Sequence, residues 1–273
     1  MTFNTFFSSL PLWGVCAFAI MVVLVSLAAG MLLGRILARG NKEVSEGSIG
    51  SIVAATLGLL AFMLAFTFNM TAERFGARKA LLLEEINAIS TAYLRADFLD
   101  EKGTARAREL LAEYAQVRAF DPYTLDEREY LRALARSEQI QASLWALVAE
   151  HESRGYGAGE LRAFYQPLNE VFDYHTRRVL VGGRYQIPAP IWMALYAITA
   201  LSMFGIGFQL GTSRGASPLV ALALALAFSL VILLIEDLDR SYEGLLVVDQ
   251  GPMAELSQQL QAAERRRLGA GPD

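Results

Sequence analysis

The distribution of charge constrains this chain more than any other feature of its sequence. Four stretches contain no Asp, Glu, Lys or Arg: residues 1–34, 48–72, 185–213 and 215–235. A helix of about 20 apolar residues is long enough to cross the hydrocarbon core of a bilayer. The charge-free stretches therefore predict four membrane-spanning helices, at about residues 12–34, 49–70, 189–210 and 218–235.

The overall composition agrees with a membrane protein. Hydrophobic residues make up 54% of the chain and charged residues only 19%, whereas about 25% of a soluble domain is charged. No basic residue precedes the first apolar run, and Arg35 follows it. This order favours an uncleaved membrane anchor over a secretory signal peptide.

The basic residues near the spans predict the orientation in the membrane. With four spans, the N-terminus, the long insert 71–187 and the C-terminal tail share one side. Seven basic residues lie near the spans on that side and four on the other: Arg74, Arg78, Lys79, Arg177, Arg178, Arg184 and Arg240 against Arg35, Arg39, Lys42 and Arg214. Because basic residues favour the cytoplasm, we expect a multi-pass protein whose insert and termini are cytoplasmic.

The second predicted span continues beyond the membrane as one helix. The segment "LAFTFNMTAERFGARKALLLEEINAIS" (residues 64–90) contains no Pro and only one Gly, Gly76. In its polar half, Leu82, Ile86, Tyr93 and Ala96 fall on the same helical face as Ile89, and Glu84, Asn87, Thr91 and Arg95 fall on the opposite face. Further helices are predicted at residues 104–119, 125–151 and 160–181, with a break at Asp121–Pro122.

The expected fold is thus an all-α membrane protein. It has four transmembrane helices and a helical cytoplasmic insert between the second and third, and the second helix continues into the cytoplasm. The expected domains are 1–70 with the first two spans, 71–187 as the cytoplasmic helical domain, 188–236 with the last two spans, and 237–273 as a cytoplasmic tail.

The second span has two chemically different faces. Within about 40° of Phe62 lie mostly small and polar residues with one further aromatic: Ser48, Ser51, Ala55, Gly58, Phe66, Asn69, Glu73, Gly76 and Ala80. The opposite face is large and aliphatic, suited to lipid or to a neighbouring helix: Ile49, Val53, Leu57, Leu60, Leu64 and Phe68. The small face allows close helix packing, as does the spacing of Gly50, Ala54 and Gly58. Alternatively it lines a water-filled path that Phe62 and Phe66 constrict.

The sequence gives little indication of catalysis. No phosphate-binding loop or nucleophile elbow is present. His151 and His175 lie on different predicted helices without cysteine partners, so solvated or helix-capping histidines are favoured over a metal site. Basic residues do not form a stripe with aromatic residues, which argues against nucleic-acid binding. We therefore expect neither an enzyme nor a bound cofactor or metal.

Two blocks of the chain resemble a known family. The segment "TLGLLAFMLAFTFNMTAERFGARKALLLEEINAISTAYLRADFL" resembles the signature of a bacterial family of unknown function called the bestrophin-like domain. The segment "LIEDLDRSYEGLLVV", after the fourth span, resembles the second block of the same family. The spacing of the blocks and the four-span layout match as well, so the resemblance covers nearly the whole chain. It implies a location in the bacterial inner membrane.

Through this family the chain is distantly similar to bestrophins, which are pentameric ion channels, mostly for anions. In bestrophins the second helix lines the pore and forms an apolar and aromatic neck, which Phe62 and Phe66 resemble. The resemblance implies a homo-oligomeric channel, with a pentamer as the expected assembly, whose partners are inorganic ions and membrane lipid. Its expected pore-lining and gate residues are Ser51, Ala55, Phe62, Phe66, Asn69 and Glu73. The alternative is a non-conducting scaffold or sensor that presents a cytoplasmic helical bundle.

Charged residues directly after the fourth span form a second candidate site. Bestrophins carry an acidic calcium-binding clasp here, which Glu236, Asp237 and Asp239 resemble only loosely, because Arg240 neutralises part of the short acidic run. A Ca²⁺ ion needs six to eight oxygen ligands, so we expect no calcium site. We expect instead a structural charge cluster at the membrane edge, made of Arg74, Arg78, Glu236, Asp237, Asp239 and Arg240.

Overall fold

The computed structural model describes residues 11–39, 46–120, 127–183, 187–213, 217–240 and 244–269. Within these ranges the regular elements are helices. They are α1 (Leu12–Arg39), α2 (Glu46–Arg95), a 3₁₀ turn (Ala96–Phe98), α3 (Glu101–Arg118), α4 (Glu127–Ser153), α5 (Ala158–Gly183), α6 (Ala189–Thr212), α7 (Pro218–Asp239) and α8 (Gly251–Gly269). The predicted break at Asp121–Pro122 lies outside the described residues.

Four of these helices are long and apolar enough to cross a membrane: α1, α2, α6 and α7. The prediction of four apolar helices is therefore confirmed. The continuous helix predicted over residues 64–90 is also confirmed, because α2 runs without interruption for 50 residues. Its polar half buries the predicted face, with Leu82, Ile89 and Tyr93 at most 7% exposed, and leaves Glu84 and Asn87 exposed.

The chain divides into two compact units. The first comprises Met1–Phe75 and Gln186–Leu246, and the second comprises Gly76–Tyr185 and Val247–Asp273. Helix α2 contributes residues to both. The core of the first unit is formed by buried apolar side chains of α1, α2, α6 and α7. The second unit buries Tyr114, Ile140, Leu144, Phe164 and Leu168 from α3, α4 and α5.

Glycines bring α1 and α6 into backbone contact. Gly30 on α1 and Gly207 on α6 each begin a pair of glycines spaced four residues apart. A Cβ atom on Gly30 would overlap the carbonyl oxygen of Phe204, and one on Gly207 would overlap that of Leu27. Small residues allow this approach, and close packing is the main source of helix association in lipid.

The glycines of α2 do not make such a backbone contact within the chain. A Cβ atom on Gly58 would meet nothing within 4 Å, and one on Gly50 would meet only the Gln209 side chain at 3.7 Å. Close packing inside the first unit therefore uses the glycines of α1 and α6, which the sequence analysis did not single out.

Candidate functional site

The six predicted pore-lining residues lie on an exposed face of α2. Phe62 is 66% exposed and Phe66 is 56% exposed. The other four residues, Ser51, Ala55, Asn69 and Glu73, are exposed as well. Nothing within 4 Å covers Gly58 or Gly76, which lie on the same face. These positions form a face that is exposed in the isolated chain, and we call it the open face.

The opposite face of α2 anchors the helix in the first unit. Leu60 is fully buried and Leu64 is 4% exposed, and both belong to the core of that unit. The Ser202 hydroxyl of α6 donates a hydrogen bond of 3.2 Å to the Thr56 carbonyl. The sequence alone left open whether this aliphatic face contacts lipid or a neighbouring helix. The structure shows that Leu60 and Leu64 pack on the chain's own helices.

Polar side chains on α2 are hydrogen-bonded within the helix. The buried Thr67 and Thr71 donate to the carbonyls of Met63 and Phe68, at 2.7 Å and 2.9 Å. On the open face, the Asn69 amide donates to Glu73 Oε1 at 2.9 Å. This bond joins two side chains that lie one helical turn apart, and it involves only one of the two carboxylate oxygens of Glu73.

The charged block after the fourth span holds backbone segments in place. Both carboxylate oxygens of Asp239 lie 3.1 Å from the Ile187 backbone nitrogen, which donates to them. Arg74 Nη1 on α2 lies 3.2 Å from Asp239 Oδ1. Asp239 thus connects the end of α7 to α2 and to the segment that leads into α6. Because the Asp239 side chain is only 9% exposed, water has little access to compete for these hydrogen bonds.

Asp237 closes the turn that follows α7. Its two oxygens accept hydrogen bonds from the Leu245 and Leu246 backbone nitrogens at 2.7 Å and 3.0 Å. Gly244 has φ +122°, and a Cβ atom there would overlap Asp237 Oδ1. Only glycine adopts this conformation without strain and leaves room for the carboxylate. The aspartate and the glycine of the "DLDRSYEG" motif therefore form one structural unit, although residues 241–243 lie outside the described residues.

Two further members of the predicted charge cluster pair with each other. Arg240 Nη2 lies 3.3 Å from Glu236 Oε1, one turn earlier in the chain. Arg78 is buried and belongs to the second unit. Among the described residues, no group of three or more His, Cys, Asp or Glu side chains is placed to hold a metal ion. The oxygens of Asp237 and Asp239 bind peptide nitrogens and an arginine instead.

The second unit contains a buried charge network that the sequence analysis missed. The Glu85 side chain is fully buried on α2. Arg118 Nε lies 3.3 Å from its Oε1, and Arg178 Nη1 pairs with its Oε2. Arg178 Nη2 also donates to Gln250 Oε1 at 2.9 Å. The network joins α2, α3, α5 and the segment before α8.

Tyr114 and His175 complete this network. The Tyr114 hydroxyl donates its single hydrogen to Glu85 Oε1 at 2.6 Å. His175 Nδ1 lies 3.1 Å from the same hydroxyl oxygen, so it must carry a hydrogen and donate it. Burial raises the pKa of Tyr114 well above its usual range. Burial, followed by the charge of Arg118, lowers the pKa of His175 to about 4.

Both histidines are buried, so their interpretation as solvated side chains is wrong. His175 is 5% exposed and His151 is 1% exposed. His151 forms hydrogen bonds with the Leu147 carbonyl at 2.8 Å and with Asp100 Oδ1 at 3.2 Å.

One signal in the sequence could have revealed the buried charge network around Glu85. Glu85 lies about 40° from Ile89 on the apolar face of α2, where an acidic residue requires a buried partner.

Comparison with known proteins supports the resemblance seen in the sequence. The family model of the Bestrophin-like domain matches residues 17–253. No curated protein sequence matches the chain. A variant of a bacterial bestrophin homologue from Klebsiella pneumoniae has a similar structure, with a TM-score of 0.70 and 12% identity over 90% of this chain and 98% of that chain.

Two further crystal structures are similar at the same level. The Klebsiella pneumoniae homologue phased by zinc anomalous scattering gives a TM-score of 0.67 and 13% identity, covering 90% of this chain and 98% of that one. A structure described as a membrane protein gives a TM-score of 0.67 and 14% identity, with the same coverage. Identities this low show a shared fold alone. The family match covers most of the sequence, and the chain is therefore an integral membrane protein that belongs to the Bestrophin-like domain family.

Proposed function

We propose that this chain is the subunit of a homo-oligomeric ion channel and that the open face of α2 lines its pore. One observation carries the proposal: the six predicted pore-lining residues are exposed in the isolated chain, whereas Leu60 and Leu64 on the opposite face of α2 are buried. A face that is exposed in its own subunit is available to line an axis shared by several copies.

The chemistry of the open face favours water over lipid. Asn69 and Glu73 are exposed on it, and polar or ionisable groups facing lipid are costly and rare. Phe62 and Phe66 lie one turn apart on the same face. Copies of this pair around an axis would form a narrow apolar ring, which gates ions by excluding water.

The setting of the channel is part of the proposal. We place it in the bacterial inner membrane with both termini and the helical insert in the cytoplasm, because the basic residues near the spans are more numerous on that side. We take five copies as the expected number from the resemblance to bestrophins. Inorganic ions and membrane lipid are then its partners.

Replacing both aromatics tests the gate. In liposomes that contain the purified protein, Phe62→Ala with Phe66→Ala should widen and wet the ring, so ion flux should rise and gating should weaken. The matched control is Leu226→Ala with Leu230→Ala on α7. These side chains are also exposed and apolar, at 51% and 66%, and also lie one turn apart. We expect the control to leave flux unchanged.

The alternative function is a non-conducting scaffold or sensor in which the open face packs against other copies. The aromatics are then packing residues, and their removal leaves cavities that cost several kcal/mol. A folded wild type that passes no ions under any tested voltage, pH or calcium level, with a double mutant that only dissociates, would exclude the channel and favour the scaffold.

A further inference from the structure

Two exposed acidic residues of α2 lie on the same face as Phe62, and this affects which ions the proposed pore would admit. Between Ser51 and Leu94 the helix carries six charged residues: Glu73, Arg74, Arg78, Lys79, Glu84 and Glu85. At 100° per residue, Glu73 lies about 20° and Glu84 about 40° from Phe62. Both are exposed. Two acidic side chains, three helical turns apart, therefore lie on the open face.

The basic residues of the same helix segment point elsewhere. Arg74, Arg78 and Lys79 lie about 120°, 160° and 100° from Phe62. Arg74 pairs with Asp239, and Arg78 is buried. Glu85 forms ion pairs with two arginines inside the second unit. Arg95, the last residue of α2, is exposed and lies about 60° from Phe62, and its Nη1 donates to the Ala163 carbonyl at 3.4 Å.

We propose that the pore is selective for cations and that Glu73 and Glu84 determine this selectivity. The inference rests on the proposed function and goes beyond it by naming the class of ion. Each copy would add two carboxylates to the wall between Phe62 and Leu94, and the three basic residues of that segment lie about 100° or more from Phe62. Rings of carboxylates raise the local concentration of cations and repel anions. Asn69 acts as a positioning residue, because its amide holds Glu73 Oε1 at 2.9 Å.

The test compares permeability to potassium and chloride in reconstituted bilayers under a KCl gradient. We expect the wild type to favour potassium. Glu73→Gln and Glu84→Gln, which keep the side-chain shape, should each lower the permeability ratio several-fold, and the double mutant should bring it close to one. Glu73→Lys with Glu84→Lys should move the preference toward chloride. Lys79→Gln is the matched control, because Lys79 is exposed on α2 but lies off the open face; its ratio should equal that of the wild type.

The outcomes separate this inference from the function on which it rests. A wild type that conducts but prefers chloride contradicts cation selectivity and does not contradict the proposed channel function. So does a double Gln mutant that conducts with an unchanged ratio while its oligomer is intact by size-exclusion chromatography. A wild type that conducts neither ion overturns the channel, and the inference with it.

Discussion

At the scale of single residues, His175 links the stability of the second unit to pH. It is buried beside Tyr114, Glu85, Arg118 and Arg178, and it donates a hydrogen bond to the Tyr114 hydroxyl in its neutral form. Protonation would add a third cation to two arginines that share a single carboxylate. The folded protein therefore favours the neutral imidazole.

We predict that acid destabilises the second unit through His175. Its pKa is about 4 in the folded state against 6.5 ordinarily, so the unfolded chain binds more protons between these values. The contribution of His175 to stability is therefore fully present above pH 6.5 and falls as the pH drops toward 4, by about 3 kcal/mol in all. Thermal unfolding of the detergent-solubilised protein between pH 7.5 and 4.5 measures this loss. His175→Gln should flatten the dependence in that window; an unchanged slope would assign it to other groups.

Asp239 should be the most important residue of the charged block for stability. Asp239→Ala removes the acceptor of the Ile187 nitrogen and the partner of Arg74. Breaking a buried ion pair from one side costs about 3–5 kcal/mol. We expect a clearly lower melting temperature and weaker assembly. Asp239→Asn, which keeps an acceptor oxygen, should lose less. If the alanine variant melts and assembles like the wild type, the block does not brace the chain.

At the scale of elements, α1 and α6 depend on glycine whereas α2 does not. The backbones of α1 and α6 approach so closely that a Cβ atom on Gly207 would overlap the Leu27 carbonyl. A Cβ atom on Gly58 of α2 meets nothing within 4 Å. The same residue type is therefore required for packing in one helix and lies on the open face in another.

Two matched substitutions measure this difference. Gly207→Ala should separate α1 from α6 and lower the melting temperature by several degrees, because the obstructing atom is backbone and cannot move aside alone. Gly58→Ala should be neutral or stabilising by up to about 1 kcal/mol, since alanine favours the helix. Equal effects of the two substitutions would contradict the role of close packing in α1 and α6. A strong loss only at Gly58 would show that another copy packs there.

At the scale of the whole molecule, the orientation in the membrane can be tested directly. In a variant whose single native cysteine, Cys16, is replaced by Ala, we expect Gly47→Cys to react with a membrane-impermeant thiol reagent added to intact cells. Glu152→Cys should react only after the cells are broken. Both positions are exposed in the structure, so burial does not explain a difference. The opposite labelling pattern would reverse the proposed topology.

The number of subunits is the second property of the whole molecule. A pore lined by one helix per copy needs several copies around an axis, and we expect about five from the resemblance to bestrophins. The mass of the detergent-solubilised particle, corrected for bound detergent, measures this number directly. A monomer or dimer would leave the open face without an axis to line and would favour the scaffold.

Local patterns in the sequence determined the helices and the two faces of α2. Charge-free runs predicted the four apolar helices, because the length of such a run is set by bilayer thickness. The uninterrupted α2 followed from the absence of proline, and the common face of Phe62 and Glu73 followed from a period of 3.6 residues. These features depend on residues within a few turns of each other, so no knowledge of the tertiary structure was needed.

Only the tertiary structure decided which of these residues have partners. It showed that Leu60 is buried in the chain's own core and Phe62 is exposed, that Gly30 faces the backbone of α6, and that Asp239 binds a nitrogen 52 residues earlier in the chain. The partners of Glu85 were equally hidden, since Arg118 and Arg178 lie 33 and 93 residues away. A helical pattern specifies a face but not what covers it, because contacts between distant segments depend on how the helices pack.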